Sequence, residues 1–259
     1  MSRYEKLTQQ PLVVALAEFR FSTILTMEAY VSSFQEHLRK DFPHFVPTET
    51  QEMVIDGKGV NISTHESWLF LSSNKKRAFK LDKDRIIFMT SEYDGVEDTW
   101  KNCKTALSFI EKKIKPSILL RVGLRYSNLI IAKSENEDID SYVDSSICNS
   151  GQLCKIGEQI HRSKETVLKT DVGLMAVRSL CGNLNLSAWP DLSDPPVVIN
   201  KYLDPSKRIV LDIDHFWQQE EQAVKFNIEL IHNKISSLHE KSREAFWEIT
   251  TDKGREVWK

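Results

Sequence analysis

Four charged side chains fall where a β-sheet would gather them into one chemistry. Glu18 and Arg20 lie on the run Val13 to Phe21, and Arg121 and Arg125 lie on the run ILLRVGLRYSNLIIA. With the two-residue period of a strand, Val13, Ala15, Ala17, Phe19 and Phe21 share one face, whereas Glu18 and Arg20 take the other. By the same period Arg121 and Arg125 point away from Ile118, Leu120, Val122 and Leu124. If the two strands are neighbours, the four charges form a cross-strand ion network. Guanidiniums held in such a place fork onto carboxylates or phosphates, and Tyr126 and Asn128 further along the strand complete this candidate anion-binding set. The plainer reading of the same residues is a structural ion network or a solvated face.

Asp212, Asp214 and His215 form DIDH at the end of an apolar strand, where two carboxylates on one face could hold a divalent cation. That ligand set is incomplete because His215 faces the other way, and Asp214 is expected to cap a following helix instead. His232 and His239 lack the HExxH geometry of a zinc site and read as surface histidines. No GxSxG, P-loop, GxGxxG or CxxC is present, so no catalytic residue, cofactor or metal ligand is assigned. The cysteines Cys103, Cys148, Cys154 and Cys181 are expected to be free thiols, with a Cys148–Cys154 bridge as the alternative.

Two surfaces suggest partners. Lys101, Lys104, Lys112, Lys113 and Lys115 give one helix a basic outer face, and Lys75, Lys76, Arg77, Lys80, Lys83 and Arg85 decorate a β-meander. With Phe70 or Phe79 turned outward, such a surface would stack on bases of a nucleic acid. Trp217, Trp247 and Trp258 point instead to an aromatic interface anchor on the C-terminal helix and tail.

The elements that must position these residues read clearly in places. After the first strand, Met27, Tyr30, Val31, Phe34 and Leu38 make a helical stripe behind Thr26, ended by Pro43 and Pro47. The runs VNIST, SWLFLSS, RAFKL and RIIFMT, parted by turns such as Asp56-Gly57, predict an antiparallel meander. A second helix starts around Asp94 and Glu97 and carries Val96, Trp100, Cys103, Leu107, Ile110 and Ile114 to Pro116. Lys133 to Ser146 is acidic and reads as a solvated loop. An amphipathic stretch through Ile160, further strands ending in RIVLDIDHF, and a long terminal helix follow. In that helix Val224, Ile228, Ile231, Ile235, Leu238, Ala245 and Ile249 form a stripe expected to pack on a sheet. The pattern predicts an α+β protein of two sheet-plus-helix halves with mainly antiparallel strands: residues 1–132, an acidic loop 133–146, and residues 147–259.

Composition bounds the function. The 259 residues are 41% apolar and 28% charged, with net charge −2 and an isoelectric point near 6.4. That is a globular composition without the global positive field that would gather phosphate backbones. The opening MSRYEKLTQQ is too polar for a signal peptide, and no apolar run approaches the roughly 18 residues of a membrane span. The expectation is a cytoplasmic protein with no membrane association.

Several motifs recur together. Pro11-Leu12 leads to Glu18-Phe19-Arg20-Phe21, followed by Trp68 to Leu71, Tyr93, the strand Arg121 to Asn128, Leu211-Asp212-Ile213-Asp214 and the ending LHEKSREAFWEITTDKGREVW. In their order and spacing the chain resembles a sporadically distributed family of bacterial proteins without an assigned activity. The resemblance implies an α+β fold, a bacterial origin and an association with phage defence, and it supplies no catalytic residues. The functional expectation is a non-enzymatic protein-interaction or regulatory component acting on a protein partner or as a homo-oligomer. A nucleic-acid-binding subunit using the Lys/Arg face, and a metal-dependent enzyme at Asp212 and Asp214, are the alternatives.

Overall fold

A computed structural model describes residues 4, 5, 7–56, 59–132, 134, 137–149 and 151–259. Ten strands run β1 (Leu12–Phe21), β2 (His44–Asp56), β3 (Gly59–Leu71), β4 (Arg77–Leu81), β5 (Arg85–Thr90), β6 (Ile118–Ile131), β7 (His161–Lys169), β8 (Leu174–Leu184), β9 (Ser206–Gln218) and β10 (Val224–Lys225). The helices are α1 (Glu28–Leu38), α2 (Val96–Phe109, continued by a π-turn over Ile110–Ile114), α3 (Ser145–Cys148), α4 (Ile228–Ile249) and α5 (Asp252–Val257). The α+β class, the antiparallel pairing and the long C-terminal helix are as the sequence predicts.

The strands form one sheet in the order β2-β3-β4-β5-β1-β6-β9-β8-β7, with the short β10 also on β6. Each half of the chain supplies strands and helices, and the antiparallel β6–β9 ladder, Arg121 opposite Gln218 through Ile131 opposite Arg208, joins them into a continuous sheet. The meander is β2 to β5, and its proposed turn at Asp56-Gly57 lies outside the described residues.

One sheet face carries the main core. Phe19 and Phe21 of β1, Val122 and Leu124 of β6, and Phe70, Phe79 and Phe88 of the meander are buried there against Phe34 of α1, Leu107 of α2 and Ile235 of α4. Phe34 meets Phe70 and Phe109 edge-on at centroid distances of 5.2 and 5.3 Å. Each such ring removes enough apolar surface from water to stabilise the fold by roughly 1.5–3 kcal/mol. The terminal helix packs on β6 and β9, so the sheet-packing reading of its stripe holds. It starts later than expected, at Ile228, because the Asn227 side chain accepts from the Leu230 amide at 2.8 Å and Val224 belongs to β10.

Three local expectations are corrected. Asp214 caps no helix, since the strand continues past it to Gln218. The acidic segment is partly buried: Ile139, Tyr142 and Val143 pack with Trp258 and Ile209. Cys148 is not a free thiol and does not pair with Cys154; it is joined to Cys181 of β8, whose Cα lies 5.7 Å away. Cys103 is free and buried, and burial pushes its thiol well above the usual range.

Candidate binding groove on the open sheet face

The sheet face opposite the helices is covered only at one end, by the segment between β8 and β9. Ala188, Leu192, Val197 and Ile199 of that segment seal Val14, Leu71, Ala78 and Met89. Buried Arg208 anchors it, donating at 2.8 Å to the carbonyls of both Leu186 and Tyr202, and the Trp189 amide donates to Ser127 Oγ at 3.0 Å. Beyond the cover lies a groove of about 690 Å3 lined by Glu18, Arg20, Lys80, Arg121, Arg125 and Asp214 among others.

Strand alternation aims all four charges singled out from the sequence into this groove. Register then decides what they touch. Arg85 of β5, Arg20 of β1 and Arg121 of β6 are directly opposite one another across three adjacent strands. Like charges so placed repel, and Glu18, two residues along, lies among them: 2.8 Å from Arg20, 3.3 Å from Arg121 and 3.8 Å from Arg85. Arg121 also lies over the Phe216 ring, 3.7 Å from its centroid. Burial lowers the Arg121 pKa against the pull of Glu18 and Asp214.

Arg125 belongs to a second knot. Its Nε donates to Asp212 at 2.9 Å while its two terminal nitrogens fork onto Asp191 at 2.8 Å each. Arg178 of β8 donates to the other Asp212 oxygen at 3.0 Å and to Glu165 at 2.6 Å. Burial by itself lowers the pKa of these guanidiniums, but the paired carboxylates outweigh it and raise the pKa of both Arg125 and Arg178. Asp212 is fully buried, and burial raises its pKa against the two guanidiniums. Both its oxygens are engaged by arginine, which removes it from the cation-binding role considered for DIDH. His215 faces the helices, its Nδ1 3.1 Å from the Leu238 carbonyl.

Other candidates fall elsewhere. Tyr126 and Asn128 point to the helix side of β6 and are not part of the arginine face. Trp258 is buried, so it is no exposed anchor; Trp217 is half-buried under Lys234, and Trp247 is half-buried against Tyr4. Phe70 and Phe79 are in the core and offer no base-stacking surface. His239 is half-buried and bonded to Tyr126 rather than a surface histidine. Sequence reasoning missed Arg178 and Asp191 and read Arg85 only as part of the basic meander surface, because these partnerships depend on strand order; an alternating Arg in LMAVRSL was the available signal.

The fold and groove define an antiparallel α+β protein with a mixed-charge groove on an otherwise open sheet face. No family model, curated protein or solved structure matches the chain. Among the described residues, no helix is long and apolar enough to cross a membrane.

Proposed function

We propose that the protein is a non-enzymatic interaction component that binds an acidic segment of a protein partner in this groove, in the phage-defence setting implied by its family resemblance. The observation that carries the reading is the row Arg85–Arg20–Arg121, three like charges placed directly opposite one another and shared by Glu18, with Asp84 beside Arg85 and Asp214 3.9 Å from Arg121. Departures from the rules of stable design concentrate at functional sites. With Arg125 paired to Asp191 and Lys201 to Asp194, the groove is left with Arg20, Lys80 and Arg121 against Glu18 and Asp214. Lys80 makes no ion pair among the described residues.

A protein partner is favoured over nucleic acid by what surrounds those cations. Glu18, Asp191 and Asp214 would repel a continuous phosphate chain but tolerate one or two carboxylates placed between them. Leu16, Leu69 and Ile87, only partly buried in the same wall, suit the apolar side chains flanking such an acid. The test is fluorescence anisotropy with short peptides bearing a Glu pair between leucines, their Gln counterparts, and a single-stranded RNA. Salt-sensitive binding of the Glu peptides, weakened about tenfold by Arg20→Ala, is expected. Preference for RNA would establish the nucleic-acid alternative, and indifference between Glu and Gln peptides would remove the proposal.

A further inference from the structure

A second cavity, of about 360 Å3, lies on the helix side of the sheet, apart from the groove. Tyr126 of β6, His239 and Phe246 of α4, Val96 at the start of α2, and Leu12 of β1 form its walls. The N-terminal segment closes it: Arg243 donates to the carbonyls of Tyr4 at 2.6 Å and Glu5 at 3.1 Å, and the Tyr4 ring lies 5.0 Å from that of Trp247. Most of the wall is apolar, with a polar cluster centred on Tyr126. There Tyr126 Oη is 2.9 Å from His239 Nδ1, and the Tyr93 ring meets the Tyr126 ring edge-on at 5.7 Å.

The Tyr93 hydroxyl decides the matter. It is shut away from water, and its polar neighbour, the Tyr126 hydroxyl, is engaged with His239 and forms no well-aligned hydrogen bond with it. A buried hydroxyl left so costs about 1–3 kcal/mol relative to a satisfied one. Orphaned polar atoms of this kind call for a water or a ligand group. The surroundings select the ligand. The nearest cation, Arg243, is already bound to the closing segment, and Glu5, Asp94 and Glu97 stand around the cavity. An anion would therefore meet carboxylates with no available cation. Burial also pushes Tyr93 up to about 12 and His239 down to about 4, so both stay uncharged at neutral pH and present hydrogen bonds rather than charge.

We propose that this cavity binds a neutral, planar aromatic small molecule, its apolar body against Val96, Phe246 and Leu12 and a hydrogen-bonding edge on the Tyr93 hydroxyl. A cavity of this size, apolar with a few convergent polar groups, has the character of a small-ligand site. The experiment is ligand-observed NMR and thermal shift on the full chain with phenol, indole and adenine as probes and benzoate and cyclohexanol as controls. At least one neutral aromatic is expected to bind saturably and more tightly than either control. Tyr93→Phe should weaken it about tenfold while raising the ligand-free melting temperature, because the unsatisfied hydroxyl is removed. Val96→Phe, which narrows the cavity without touching the hydroxyl, should abolish binding and serves if Tyr93→Phe does not fold. No saturable binding by any probe would mean that the hydroxyl faces only water and would overturn the proposal, as would a Tyr93→Phe affinity equal to that of the unmodified chain.

Discussion

Truncating Asp212 to alanine is expected to destabilise the fold by about 3 kcal/mol in denaturant unfolding, the low end for breaking a buried ion pair. The cost comes less from lost attraction than from what remains. Arg125 would keep Asp191 and Arg178 would keep Glu165, whose side chains are 62% and 56% exposed, with Asp214 3.8 Å from Arg178, in place of a carboxylate with no exposure. Asp191→Ala, by contrast, removes a solvent-screened partner and should cost less than about 1 kcal/mol. Replacing Asp212, Arg125 and Arg178 together by Leu, Met and Met should recover most of the loss, because the unpaired buried charges then vanish with their partner. If the triple variant is as unstable as Asp212→Ala, the knot's worth lies in packing instead.

Acid should act through His239 with a similar magnitude. Burial first, and then Arg243, hold its pKa down to about 4 from 6.5, with Glu97 opposing. A histidine whose folded pKa is depressed is neutral in the fold, so the unfolded chain takes up the proton first and stability falls as pH drops from about 6.5 towards 4. The shift corresponds to about 3 kcal/mol across that window. Tyr126 faces the ring and, with its own pKa raised by burial, remains a neutral phenol throughout. The check is the difference in unfolding free energy between the unmodified chain and His239→Gln, which keeps an acceptor for Tyr126 and does not titrate. That difference should shrink or invert towards pH 4, whereas a difference independent of pH would mean that His239 is not the responsible group.

Local patterns in the sequence carry much of the fold because the forces behind them are local. The alternation around Glu18 and Arg20, and around Arg121 and Arg125, reflects the strand period alone and correctly put four charges on one face. The stripe from Ile228 to Ile249 likewise needed only the helical period. What sequence could not supply was strand order. That Arg85 faces Arg20, that Asp212 is gripped by two arginines, and that Cys148 reaches Cys181 all follow from pairings between distant segments. Tyr126 and Asn128 were misplaced by grouping neighbours along a strand whose successive side chains point to opposite faces. Tyr93 and His239 carried no joint signal, being brought together by α4 lying across β6.

The most direct test of the groove is a charge reversal that leaves the Arg125–Asp212–Arg178 knot intact. Arg20→Glu with Lys80→Glu should lose affinity for the Glu-pair peptides by about a hundredfold, at about 1.4 kcal/mol for each reversed charge. The same variant should gain affinity for the matching Lys-pair peptides, with unfolding free energy close to that of the unmodified chain. Undiminished binding of the acidic peptides by a folded double variant would contradict the account.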